Sequence, residues 1–137
     1  MDNKINILLI EDNPADAALI KEALLGSGSM PENTNGFKFK LEYNDRLSTG
    51  IERLNKGDIN IVLLDLSLPD SLGLNTLTKL HSKIPDIPII VLTNHDDEII
   101  AIDAVEEGAM DYILKSDATS KRLISSIQNA LTRQVNS

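Results

Sequence analysis

The chain has no cysteine and no tryptophan, and histidine occurs only at His81 and His95. Disulfides and thiol chemistry are therefore excluded, and a metal centre built from histidine and cysteine has too few ligands. Basic residues are also short: 13 Lys and Arg against 21 Asp and Glu leave a formal charge of -8. That balance disfavours nucleic acid and anionic membranes as partners and favours a cation or a basic partner. The apolar runs have strand length, so no segment is read as spanning a membrane. Met1-Asp2-Asn3-Lys4 leads directly into the first of them without a signal-peptide core. A cytoplasmic location is the expectation.

With 137 residues, 42% apolar and 25% charged, the composition suits one globular domain, expected over residues 1–137 with its core at about 5–133. Strand-length apolar runs alternate with helical periodicity five times. The first strand is expected over Ile5 to Ile10, and the first helix from near Pro14, with Leu19, Ile20, Ala23 and Leu24 on one face and a stop at Gly26-Ser27-Gly28. Residues 28–36 contain Pro31 and no period, which predicts a long mobile loop. Phe37 to Tyr43 alternates strictly and reads as an edge strand, whereas the runs at Ile7, Ile61 and Ile89 are continuously apolar and read as buried strands. Leu47, Ile51 and Leu54 mark the second helix; Leu77, Leu80 and Ile84 the third; Ile102 and Val105 the fourth; Leu123, Ile127, Ala130 and Leu131 the fifth. Pro85 and Pro88 bracket the entry to the fourth strand. The pattern predicts an α/β fold, a doubly wound five-stranded parallel sheet with right-handed crossovers.

Polar groups stand where these runs end. Glu11-Asp12 follows Ile7 to Ile10, Asp65 follows Ile61 to Leu64, Thr93 follows Pro88 to Leu92, and Lys115 follows Tyr112 to Leu114. In an open parallel sheet the carboxyl ends of the strands form the ligand crevice, so these groups converge. Three carboxylates in one crevice repel each other unless a cation sits among them. Mg²⁺ suits that set, since it prefers oxygen ligands and commonly binds one or two carboxylates plus a phosphate oxygen; Asp12 and Asp65 supply the carboxylates. Asp65 can then attack a phosphoryl group to form an aspartyl phosphate. Lys115 and Thr93 fit the neutralising and hydrogen-bonding roles that phosphoryl transfer needs.

These residues carry a family resemblance. Leu9-Ile10-Glu11-Asp12-Asn13-Pro14, Leu64-Asp65-Leu66-Ser67-Leu68-Pro69 with Gly73 beyond, Leu92-Thr93-Asn94 and Tyr112-Ile113-Leu114-Lys115 together resemble a response-regulator receiver domain of two-component signalling. The opening Glu-Asp-Asn-Pro-Ala-Asp is similar to stand-alone single-domain regulators of phytochrome-type and hybrid sensor kinases. The resemblance implies a flavodoxin-like (βα)5 fold with strand order 2-1-3-4-5. It implies that Asp65 accepts a phosphoryl group from a phosphohistidine on a sensor histidine kinase or phosphotransfer protein. Mg²⁺ (or Mn²⁺) would be held by Asp12, Asp65, the Ser67 backbone carbonyl and, mainly through water, Glu11. Thr93 and Tyr112 would form a switch that changes the surface of the fourth helix, fifth strand and fifth helix for a downstream protein partner or phosphorelay. The same face implies a homodimer, with Ile99, Ile100, Leu123 and Ile124 contributing exposed apolar area. The chain would be a signalling phosphoacceptor and not an enzyme acting on a separate substrate.

Departures from the family pattern bear on phosphoryl lifetime. Lys115 precedes Ser116 where the family's lysine precedes proline, which leaves the approach of Lys115 open. Ser67, Asn94 and His95 stand where side chains border the crevice and tune hydrolysis. Ordinary structural uses compete with each assignment: Asp65 as a turn cap, Glu11-Asp12 as partners of a helix N-terminus, Thr93 as a turn opener, Lys115 as a solvated lysine, Tyr112 as edge packing. Two other readings stand beside the receiver: a pseudo-receiver that only docks proteins, and an aspartyl-phosphate phosphatase. The phosphatase pattern requires a second acid where Pro14 stands. Nucleotide binding is disfavoured, because Gly26-Ser27-Gly28 follows no strand and no Gly-Lys-Ser/Thr loop exists. No DNA-binding segment is expected after the fifth helix.

Overall fold

The computed structural model describes residues 4–25, 38–94 and 98–136, without the side chains of 67, 71, 72, 98 and 133–136. The expected glycine stop, the 28–36 loop and His95 lie outside the described residues. Five parallel strands, β1 (Lys4–Ile10), β2 (Lys38–Asn44), β3 (Ile61–Asp65), β4 (Ile89–Thr93) and β5 (Asp111–Leu114), form one sheet in the order β2-β1-β3-β4-β5. Five helices connect or flank them: α1 (Pro14–Leu25), α2 (Leu47–Asn55), α3 (Leu74–Lys83), α4 (Glu98–Glu106) and α5 (Ser120–Asn136). The alternating Lys38–Asn44 segment is an edge strand, as its half-polar pattern predicts, while β3 and β4 are buried at every position. A two-stranded antiparallel hairpin, Ser67–Leu68 with Ser71–Leu72, stands beside the sheet and was not foreseen.

The two-residue period of a strand divides the core. Ile5, Ile7 and Leu9 point to one side of β1, where they meet Ile20 and Leu24 of α1 and Leu123 and Ile127 of α5. Leu8 and Ile10 point to the other side and meet Leu47 of α2, Leu77 and Leu80 of α3 and Ala104 of α4. Each fully buried Leu or Ile contributes about 1.5–3 kcal/mol relative to exposure. Gly50 packs tightly here: a Cβ would lie 2.5 Å from Ile10 Cδ1 and 3.0 Å from its Cγ1, so any larger residue would have to displace that buried side chain.

Three expectations are corrected. Leu19 is 64% exposed, while Ile20 and Leu24, with Ala17 and Ala23 partly buried beside them, form the inner face of α1. Leu123 and Ile124 are 0% and 1% exposed, packed under α5, and contribute no apolar area to an α4–α5 surface. Ile100 is half-buried against the core. Ile102 and Val105 do belong to α4, but with Ile99 they form its outer stripe while Ala104 faces the sheet.

The two helices that follow β1 and β2 are capped in different ways. Asn13 caps α1: its Oδ1 accepts the N–H groups of Ala15 at 2.9 Å and Asp16 at 3.3 Å, with Pro14 at the first helical position. Arg46 precedes α2 without a side-chain cap, and Asp70, from the loop after β3, supplies it by accepting the Leu47 and Ser48 N–H groups at 2.9 Å each. Among the described residues no helix is long and apolar enough to cross a membrane.

Candidate functional site

The carboxyl ends of the four adjacent strands β1, β3, β4 and β5 bring the site together. Burial on both sides of β3 and β4, and of the last four residues of β1, fixes the residue at the end of each. Glu11, next after β1, is completely buried; Asp65 and Thr93 close β3 and β4 at 5% exposure each; Lys115 follows β5 directly and opens a single 3-10 turn, Lys115–Asp117. Asp12 is exposed at the rim. Carboxylate oxygens of Glu11, Asp12 and Asp65 lie within 4.8 Å of one another. A crevice of about 200 Å³ is lined by these three, Asn13, Asp16, Asn94 and Lys115.

Lys115 stands at its centre. Its Nζ is ion-paired to Glu11 Oε1, donates to Asp16 Oδ2 at 2.8 Å, and lies 3.5 Å from Asp65 Oδ2. Burial acts against the ammonium, but hydrogen bonds to Asp16 and Glu11 outweigh it and hold its pKa above the ordinary lysine value. One cation does not balance the acids around it. Burial, and next the hydrogen bond shared with Asp65, push the Glu11 carboxyl up to about 7 although Lys115 pulls it down. Glu11 thus holds its proton to higher pH than an ordinary carboxylate does. Three hard oxygen donors with surplus negative charge fit a hard divalent cation.

The other sequence-predicted residues fall into place unevenly. Thr93 is buried immediately before Asn94, which lines the crevice. Tyr112 is half-buried and packs against the core on the α2–α4 side of the sheet. Ser67 opens the hairpin two residues beyond Asp65, and the loop is closed by the Gly73 N–H donating to the Leu66 carbonyl at 2.7 Å. Gly73 has φ 68°, a conformation that glycine adopts without the Cβ penalty. Among the described residues there is no cis peptide bond, so Lys115 joins Ser116 in trans. His81 lies half-buried beneath Gly108, away from the crevice. Sequence reasoning missed Asp16. Its signal was available: it is the acid in the first turn of a helix that starts at Asn13-Pro14.

Comparisons with known proteins bear on the family and the fold. The family model for the response regulator receiver domain matches residues 7–128. Regulatory protein LuxO of Vibrio cholerae is 34% identical over 83 residues, 61% of this chain and 18% of that protein. The phosphoglycerate transport system transcriptional regulatory protein PgtA of Salmonella typhimurium is 28% identical over 134 residues, 98% of this chain and 30% of that protein. The chain thus spans less than a third of the length of either relative. A response regulator receiver domain protein from Clostridium thermocellum has a similar structure, with TM-score 0.76 at 26% identity, covering 95% of this chain and 96% of that one. The signal receiver domain of an HD domain-containing protein from Pseudomonas fluorescens shares the fold, with TM-score 0.79 at 19% identity, over 99% of this chain and 93% of that one.

Proposed function

Since the chain belongs to the response regulator receiver domain family, we propose that it is a phosphoacceptor of two-component signalling, with Asp65 as the nucleophile. The observation that carries this reading is the placement of buried Asp65 within ion-pair reach of Lys115 and within 4.8 Å of two further carboxylates. The donor would be a phosphohistidine on a sensor histidine kinase or phosphotransfer protein. A lone pair on an Asp65 Oδ forms the O–P bond as the P–N bond breaks, and that bond's electron pair returns to the imidazole nitrogen.

Each neighbouring group has a task in that displacement. The Lys115 ammonium neutralises charge on the phosphoryl oxygens, and the Thr93 hydroxyl donates a hydrogen bond to one of them. Asp12, Asp65, the Ser67 carbonyl and, through water, Glu11 would hold Mg²⁺ or Mn²⁺. Such an ion supplies charge neutralisation at the phosphoryl group and orients it for in-line attack. Glu11 gives up its proton when positive charge enters the crevice. Asn94 lines the crevice, and Ser67, Asn94 and His95 would tune the lifetime of the phosphoryl group.

Thr93 and Tyr112 would couple the site to a surface. Both stand on adjacent strands, β4 and β5, in parallel register, with Thr93 beside Leu114 and Val91 beside Tyr112. Movement of the Thr93 hydroxyl toward a phosphoryl group would change the packing of Tyr112 and hence the α4–β5–α5 face, where a downstream partner or a second copy docks.

Intact mass after incubation with acetyl phosphate and Mg²⁺ tests the reading. One phosphoryl adduct is expected, absent with a chelator and absent in Asp65→Asn. A folded wild-type chain that takes up no phosphoryl group and binds no Mg²⁺ would favour the pseudo-receiver instead.

A further inference from the structure

Asp16 has a partner that helix capping does not explain. It occupies the third position of α1, where an acidic side chain ordinarily returns to the N–H of the capping residue. Here the Asn13 N–H is directed to Glu11 Oε2 at 3.3 Å, and the Asp16 carboxylate reaches across to Lys115 Nζ at 2.8 Å. That contact joins residues 99 positions apart and lies within the charge-assisted range, whereas the 3.5 Å separation between Nζ and Asp65 Oδ2 is longer than such bonds. The crevice therefore holds its ammonium beside the phosphoacceptor and bonds it elsewhere.

We propose that Asp16 is a positioning residue for phosphoryl transfer, tethering Lys115 from α1 so that its charge faces an incoming phosphoryl group without tying up Asp65 in a short ion-paired hydrogen bond. The proposal rests on the phosphoacceptor reading above. The chemistry follows from competition for one cation. An ammonium freed from Asp16 stays paired with Glu11 and closes on Asp65, and a carboxylate oxygen engaged by a short charged hydrogen bond is a weaker nucleophile. An ammonium that must also be drawn back to the phosphoryl oxygens loses the advantage of being placed there beforehand. Asp16 suits the role because it is the most accessible of the three acids on Lys115, with 21% of its side chain exposed against 0% for Glu11 and 7% for Asp65. Its replacement leaves no buried charge unpaired on its own side.

The test compares adduct formation by intact mass, with acetyl phosphate at saturating Mg²⁺, in wild type, Asp16→Asn, Asp16→Glu, Lys115→Ala and the double variant Asp16→Asn/Lys115→Ala. Asp16→Asn should slow the reaction about tenfold, and Asp16→Glu should recover part of the loss. In the Lys115→Ala background, Asp16→Asn should have no further effect, because its action passes through the ammonium. A second readout is independent of phosphorylation. In the metal-free full chain, the Lys115 ¹⁵Nζ resonance should stay visible but shift in Asp16→Asn, as its hydrogen bond passes from Asp16 to Asp65, and an unshifted resonance would contradict the tether. Equal rates for wild type and Asp16→Asn, or an undiminished further loss in the double variant, would overturn the tethering role while leaving the phosphoacceptor reading intact. Absence of any adduct in wild type would overturn both.

Discussion

At the start of β5, Asp111 accepts hydrogen bonds from the Tyr112 N–H at 2.8 Å, from Arg122 at 3.0 and 3.3 Å, and from the Ser126 hydroxyl at 2.6 Å. At the end of the same strand, Lys115 faces Glu11, Asp16 and Asp65 together. The first cluster has one acid, one base and a donor for each remaining lone pair. Burial works against its carboxylate, but Arg122, Ser126 and the Tyr112 N–H hold the pKa below the ordinary 3.8. The second cluster sets three acids against one cation, and burial first, then the neighbouring Asp65, pushes Glu11 up to about 7 against the pull of Lys115. A balanced cluster fastens α5 to the sheet; an unbalanced one is poised to accept charge from outside, which is how reaction sites differ from structural ion pairs.

The largest effect should come from removing the cation of the unbalanced end. Lys115→Ala is expected to slow phosphoryl uptake about 100-fold, comparable to removing one preorganised donor in a reacting site, as measured by adduct formation with acetyl phosphate. Its counterpart at the balanced end, Arg122→Ala, should leave that rate within about twofold and lower stability by about 1–3 kcal/mol in urea unfolding, since Asp111 then keeps a part-buried charge short of its donors. A rate loss in Arg122→Ala as large as that in Lys115→Ala would erase the distinction.

The two ends should also answer pH in opposite directions. Asp111 is lowered in the folded state, so its contribution is present above about pH 4 and lost as pH falls through that region. Glu11 is raised from 4.5 to about 7, so its contribution is present below its unfolded value and lost as pH rises through 7. Thermal melts with chelator present should therefore show wild-type stability declining from pH 5 to 8, and Glu11→Gln should flatten that decline. An unchanged slope in Glu11→Gln would assign the decline to other groups.

Smaller effects lie away from both ends. Asp70→Ala should cost about 1 kcal/mol, the usual loss of a helix cap, although the cap comes from a loop 23 residues along the chain. Ile102→Ser on the outer stripe of α4 should change monomer stability by no more than about 0.5 kcal/mol, since Ile102 is 59% exposed. A loss of several kcal/mol there would mean that α4 is packed in solution against something else.

The sheet and four strand-end residues were legible because a run such as Ile61 to Leu64 needs burial on both sides and must stop where a charge such as Asp65 begins. Helix faces were harder. α4 reads Glu-Ile-Ile-Ala-Ile-Asp-Ala-Val-Glu, apolar nearly all round, so its period could not say that Ala104 turns inward and Ile99, Ile102 and Val105 outward. In α5, adjacent Leu123 and Ile124 both reach the core, because the helix lies closely on β1 and β5 neighbours. Asp16 was legible as an acid in the first turn of α1, but its pairing with Lys115, like the capping of α2 by Asp70, spans 99 and 23 positions respectively and arises from topology.

The central claim is that Asp65, of the four acids around Lys115, is the nucleophile. The most direct measurement is borohydride reduction of the acyl phosphate formed with acetyl phosphate and Mg²⁺, followed by peptide mass mapping. Homoserine at position 65 alone is the predicted result. Reduction at Asp12, Asp16 or Glu11, or no reduced residue in a folded, Mg²⁺-treated chain, would contradict it.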